Sequence, residues 1–165
     1  MDNSIFLSIG TNCCNRLNNL KVLLSEFSVH NVEVVKISSI YETEPYKSNC
    51  KKNFYNLIIN VKTKHNLFNF FKLTQKIEKK MGRNVKNNPN IERIIDIDIL
   101  TFKDIIFNSK DLVIPHPKLH ERRFVLFPWS EISMEYIVPK YNESIIYLLN
   151  NVKDTSKVCK LEYKL

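Results

Sequence analysis

Two aspartates stand two residues apart in the otherwise apolar run IIDIDIL, residues 94–100. Along a strand, side chains two apart share a face. Asp96 and Asp98 therefore point one way, and Ile95, Ile97 and Ile99 the other. Two like charges about 7 Å apart on one strand repel each other, and a cation relieves that repulsion. Magnesium prefers oxygen ligands and commonly takes one or two carboxylates together with substrate phosphates. Plain polar-out alternation of a half-buried strand produces the same pattern, so the neighbourhood has to weigh in. Arg83, Lys86 and Arg93 precede the pair, and His116, Arg122 and Arg123 follow it. Such an arrangement suits a metal–nucleotide site, with carboxylates on the metal and guanidinium or ammonium groups on phosphate oxygens. The chain lacks the glycine-rich Walker pattern, which argues against a P-loop kinase.

A second constellation lies upstream. Phe54 and Asn56 are two apart on a strand-like run, so a ring and an amide share a face and suit a flat heterocycle. Phe124 offers a second ring for a sandwich. Core packing is the competing role for each ring. Asn56 beside Leu57, Ile58 and Ile59 is harder to explain that way, because a buried amide requires hydrogen-bond partners.

The elements that must position these groups follow from periodicity. Residues 4–9 (SIFLSI) read as a buried strand ended by Gly10-Thr11-Asn12. From Arg16, Leu17, Leu20, Leu23, Leu24 and Phe27 recur at helical spacing. Residues 32–45 read as a second strand stopped near Pro45, residues 46–52 as a polar loop, and residues 53–63 as a third strand. Residues 66–81 read as a second helix, with Gly82 at its left-handed C-terminal cap. The aspartate run is a fourth strand. The order β-α-β-β-α-β predicts an α+β, ferredoxin-like sandwich: an antiparallel sheet with two helices on one face, leaving the aspartates on the open face. A Pro-rich stretch, IPHPKLHERRF, and a terminal helix over residues 143–152 complete a C-terminal extension.

At 165 residues, with 44% hydrophobic and 25% charged, the chain has enough apolar content for a core and is unlike a disordered protein. We expect one domain over residues 1–165. The net charge of +8 permits an anionic partner, although a Lys-rich composition alone accounts for it. The four cysteines, Cys13, Cys14, Cys50 and Cys159, include no C-x-x-C pair, which argues against zinc and for reduced, incidental thiols. No signal peptide or membrane-length apolar run occurs, so a cytoplasmic monomer without a membrane partner is expected.

Several blocks in order resemble the 6-hydroxymethyl-7,8-dihydropterin pyrophosphokinases of folate biosynthesis. They are IGTN with Arg16 and Leu20, SSIYETEP, FYNLIINVKT, the set Gln75, Ile77, Glu78, Gly82 and Arg83, then RIIDIDIL, IPHP and ERRFVLFPWSEI. Both glycines of the chain fall at glycine positions of that pattern. The resemblance implies transfer of the β,γ-pyrophosphoryl group of ATP to the pterin hydroxymethyl oxygen, with release of AMP. It implies that Asp96 and Asp98 bind two magnesium ions, with ATP as co-substrate. Thr43, Pro45 and Tyr46 would line the pterin pocket, Asn56 would hydrogen-bond the pterin, and Phe54 and Phe124 would stack on it. Gln75, Lys86, Arg93, Ile99, His116 and Arg122 would contact the nucleotide, and Arg83 would assist transfer. Pro89-Asn90-Ile91 stands where the family usually has Arg-Trp-Gly, implying weaker closure over ATP. Phe54 replaces a frequent Tyr, and Pro117 a more typical aromatic or polar residue.

Two other classes compete. An RNA-binding module on a ferredoxin-like sheet would use aromatic strands and a positive face, but paired aspartates oppose a phosphate backbone and no RNP-like pattern occurs. A D-x-D glycosyltransferase generally needs a larger nucleotide-sugar domain.

Overall fold

A computed structural model describes residues 4–45, 52–83 and 92–165. Tyr46, Cys50, Lys86 and the substituted loop at 89–91, all subjects of expectations above, lie outside the described residues. Strand β1 (Ile5–Thr11) leads into helix α1 (Arg16–Val29), followed by β2 (Glu33–Ile37), β3 (Tyr41–Thr43), β4 (Phe54–Lys62), α2 (Leu67–Lys80) and β5 (Asp96–Phe102). The short hairpin β6 (Phe107–Asn108) and β7 (Val113–Ile114) comes next, then α3 (Arg123–Ser133), β8 (Ile137–Val138), β9 (Glu143–Ser144), α4 (Ile145–Asn151) and β10 (Val158–Lys160). The main sheet is antiparallel and runs β10-β3-β4-β1-β5, with β2 also on β4.

The helices start and stop where local chemistry directs. Asn15 and Asn66 cap α1 and α2, each side-chain oxygen accepting a backbone N–H three residues on, at 3.0 and 2.9 Å. At the other end of α2, Gly82 adopts φ +100°. The N–H of Arg83 then folds back onto Glu78 O at 3.0 Å, closing a Schellman turn. This turn delivers Arg83 to the sheet edge.

Two features depart from the expected sandwich. The run expected as one strand over residues 32–45 is two: β2 pairs with residues 59–62 of β4, and β3 with residues 54–56. The break at residues 38–40 lets both segments share one edge of β4. More consequential is the second face of the sheet, which is not open throughout. Leu7, Ile9, Leu57, Ile59, Ile97 and Ile99 pack under α1 and α2 as expected. On the opposite side, Phe6, Ile58 and Leu100 are buried with Trp129 of α3 and Ile145 of α4. The stretch read as Pro-rich extension thus contains a 3-10 turn (Leu119–Glu121) and the start of a core helix, α3, which accommodates Pro128. Among the described residues, no helix is long and apolar enough to cross a membrane.

Candidate active site

Helices α3 and α4 cover only one end of that second face. At the other end, a cleft of about 360 Å³ opens over β1, β4 and β5. Its floor follows from register. Gly10 of β1 lies between Asn56 of β4 and Asp96 of β5, and Ser8 lies beside Asp98. Gly10 leaves the floor low: a Cβ there would sit 3.2 Å from Asn56 Oδ1 and 3.9 Å from Asp96 Cβ.

One wall carries the amide and rings. Asn56 is buried and donates through Nδ2 to Thr43 Oγ1 at 2.7 Å, which fixes the amide and leaves Oδ1 above Gly10. Phe54 and Phe124 both line the cleft, and the Arg122 guanidinium lies 5.6 Å from the Phe124 ring centre. The other wall is ionic. Arg83 Nη1 is 2.8 Å from Asp96 Oδ1, while Arg93 Nη1 holds the second oxygen of the same carboxylate. Arg122 Nη1 lies 3.3 Å from Asp98 Oδ2, and His116 Nε2 lies 3.9 Å from it.

These surroundings set protonation. Packing of protein around Asp98 pushes its carboxyl up to about 6, and Asp96 adds to the push against three arginines. Still, 36% of the Asp98 side chain faces the cleft, so a ligand reaches it. Burial lowers His116 to about 4, with Arg122 and Lys118 adding to the effect. The imidazole is therefore neutral at pH 7. Because Lys118 N–H donates to its Nδ1 at 3.2 Å, the ring proton sits on Nε2, aimed into the cleft.

Behind the charged residues of the cleft stands a supporting layer that sequence reasoning did not assign. Glu78, only 7% exposed, accepts the N–H of Ile97 at 2.8 Å and pairs with Arg83. It thereby satisfies the free edge of β5 between the two aspartates. Asn12 clamps Arg93 twice, donating its N–H to Arg93 O at 3.0 Å and accepting Arg93 N–H at 2.7 Å. Ser8, Glu44, Lys118 and Glu121 also line the cleft. For Ser8 and Gly10 a signal existed: they alternate with Leu7 and Ile9 on β1. Glu78, followed by Lys79 and Lys80, reads as a surface charge.

The structure thus gathers Thr43, Phe54, Asn56, Arg83, Arg93, Asp96, Asp98, His116, Arg122 and Phe124 around one cleft. Gln75 instead faces solvent on α2, Ile99 is buried in the core, and Pro45 is half-buried outside the lining set. Ile99 does lie on the free edge of β5, between Ile97 N, which bonds Glu78, and Leu100 O, which accepts His116 N at 2.8 Å. Arg123 starts α3 and bonds Asp154 through its backbone.

The donor set decides what metal fits. Among the described residues no three His, Cys, Asp or Glu side chains converge. Two carboxylates and a ring of cations fit a hard divalent ion whose remaining positions are filled by phosphate oxygens and water. Arg122 Nε, buried and without a partner among the described residues, is a further donor available to an anion.

Residues 6–134 match the model of the 7,8-dihydro-6-hydroxymethylpterin-pyrophosphokinase family. The chain belongs to that family. It is 36% identical over 138 residues to the 2-amino-4-hydroxy-6-hydroxymethyldihydropteridine pyrophosphokinase of Bacillus subtilis, covering 82% of this chain and 81% of the other. It is 37% identical over 144 residues to the Helicobacter pylori protein of the same name, covering 86% of each. Among solved structures, it superposes on the HPPK-DHPS of Plasmodium falciparum with pteroate at a TM-score of 0.74 and 18% identity. That match covers 98% of this chain and 50% of the other, so this chain spans half the length of that longer one. This likeness concerns the fold. Family membership removes the RNA-binding and glycosyltransferase alternatives.

Proposed function

We propose that the cleft carries the family reaction with Asp96 and Asp98 as the metal-binding pair and the surrounding cations as the triphosphate cradle. The reaction is transfer of pyrophosphate from ATP to 6-hydroxymethyl-7,8-dihydropterin in folate biosynthesis, releasing AMP. The hydroxymethyl oxygen attacks the β-phosphorus, and the bond from that phosphorus to the α,β-bridging oxygen breaks. One observation carries the assignment: two carboxylates, three arginines and a neutral histidine line one cleft together with an amide and two rings.

Each group has a distinct task. Phe54 and Phe124 sandwich the pterin, and Asn56, held by Thr43, hydrogen-bonds its edge. Arg83, Arg93 and Arg122 neutralise phosphate oxygens as charge redistributes, the main service a protein gives phosphoryl transfer. His116 donates from Nε2 without adding a charge. Asp96 and Asp98 would hold magnesium, two ions in this reading, whose Lewis-acid character compensates charge on the triphosphate. Ile99 meets the nucleotide through backbone groups of the β5 edge. All of these groups come from one chain, so the reading requires only a monomer.

The decisive assay supplies the protein with Mg-ATP and the reduced hydroxymethylpterin and identifies the nucleotide product. AMP formed only when the pterin is present is the expected result. ADP as the product, or turnover independent of pterin, would sink the assignment.

A further inference from the structure

The turn between β1 and α1 holds two thiols that neither the cleft nor the core uses. On extended backbone, adjacent side chains point apart. Here Cys14 adopts φ +56°, a left-handed conformation uncommon outside glycine. It brings the two thiols together, with Cys13 Sγ and Cys14 Sγ 3.1 Å apart. Cys14 is exposed and Cys13 half-buried, and both are free. Cys14 opens onto a surface groove shared with Asn12, Arg16 and Lys52.

We propose that Cys13 and Cys14 form a chelating dithiol site for a soft trivalent centre, an arsenic(III) compound being the simplest, and that its occupancy is felt at Arg93. Geometry selects the ligand class. Metal–thiolate bonds of about 2.3 Å drawn to sulfurs 3.1 Å apart enclose an angle of about 85°. A pyramidal trivalent centre, whose lone pair closes its bond angles toward a right angle, accepts that bite. Structural zinc needs four ligands at wider tetrahedral angles. The carboxylate beside Cys13, Glu92, offers hard oxygen and is already paired with Lys52 at 2.8 Å. A disulfide fits worse, because adjacent Cα atoms lie about 3.8 Å apart, short of the roughly 4.4 Å at which disulfides begin.

The binding step needs no oxidant. An arsenoxide, R–As=O, reacts with two thiols: both S–H bonds and the arsenic–oxygen bond break, and two As–S bonds form. The oxygen leaves as water with both thiol protons, and arsenic stays trivalent.

The link to the cleft is a short hydrogen-bonded path. Cys13 O accepts from Asn19 Nδ2 at 2.9 Å, and the same amide reaches Ile94 O at 3.1 Å and Thr11 Oγ1 at 3.0 Å. One residue before Cys13, Asn12 holds Arg93 by its double clamp. A ring closed through both thiols re-aims the Cys13–Cys14 peptide. Asn19 loses the Cys13 carbonyl first, and residues 93–94, which deliver Arg93 to Asp96 and which the same amide holds at Ile94 O, loosen next.

The test uses the full chain carrying Cys50→Ser and Cys159→Ser, with phenylarsine oxide as probe. One equivalent should bind and remove two titratable thiols. Turnover should fall several-fold and return with 2,3-dimercaptopropanol but not with a monothiol at equal thiol concentration. Cys14→Ser, at an exposed position, should weaken binding by about 100-fold or more through loss of the chelate, and Cys13→Ser should do the same. Binding that survives either substitution, or one thiol consumed per arsenic, overturns the site. Full turnover with the dithiol occupied overturns its link to Arg93.

Discussion

The two faces of the sheet are made from the same three strands and come to opposite ends. On one face, Leu7, Ile9, Leu57, Ile59, Ile97 and Ile99 are sealed beneath α1 and α2. On the other, α3 and α4 seal Phe6, Ile58 and Leu100 but stop short of Ser8, Gly10, Asn56, Asp96 and Asp98. What differs is coverage, not strand type. Where a helix lies over the strand, alternation supplies branched apolar groups; where it ends, the same alternation supplies a polar floor. Two of the polar groups there are held by neighbours, Asn56 by Thr43 and Asp96 by two arginines. Such prior orientation lets a site compensate charge without reorganising.

Neighbouring residues on β5 provide the largest expected contrast. Asp98→Ala or Asp96→Ala should lower kcat/KM by about a thousandfold or more, since metal-based charge compensation supplies several kcal/mol. Thermal unfolding should stay within a few degrees of the parent. Ile97→Ala, one residue away and facing α2, should do the reverse. It should cost about 2–5 kcal/mol of stability, while the folded fraction keeps near-parental turnover. Denaturant titration alongside steady-state kinetics reads both. If the aspartate and isoleucine variants move the same parameter, the two faces are not separable. Gly10→Ala probes the floor itself. Its methyl group meets Asn56 Oδ1 at 3.2 Å, so KM for the pterin should rise about tenfold, a cost of the size overpacking usually carries. An unchanged pterin KM would place the pterin away from Asn56.

Much of this contrast was legible in the sequence, and the reasons are local. A period of two placed Asp96 and Asp98 opposite the isoleucines, and Gly82 marked the cap that aims Arg83. The coverage of the second face was not legible. Helix α3 contains Pro128 and follows IPHP, so its pattern reads as irregular chain, and only burial of Trp129 against Phe6 makes it a core helix. The split of β2 from β3 depends on both pairing with β4, and β10 is a three-residue strand whose place is set by β3. Each of these is decided by distant partners, which periodicity does not encode. Asn12 and Glu78 escaped for the same reason.

Glu78 is where the two faces meet chemically, and it gives the finest test of the contrast. It belongs to α2, which covers the apolar face, yet its carboxylate wraps the free edge of β5 to hold Ile97 N–H and Arg83. Burial raises its carboxyl from 4.5 to about 7, against the pull of Arg83. An acid with a raised folded pKa holds its proton more tightly in the native state. Its contribution to stability is therefore complete below about 4.5 and drains away as pH rises through about 7. Asp98, raised to about 6, acts in the same direction; His116, lowered to about 4, acts oppositely between about 4 and 6.5. Comparing the parent with Glu78→Gln cancels those two and isolates Glu78. Glutamine keeps an acceptor for Ile97 N–H but never ionises. From pH 6.5 to 7.5 the variant should gain a fraction of a kcal/mol on the parent, about 2 °C in Tm for a chain of this size. Parallel melting curves across that interval would mean Glu78 titrates as an ordinary surface carboxylate, and the α2 side chain would then have no part in setting the charge of the cleft.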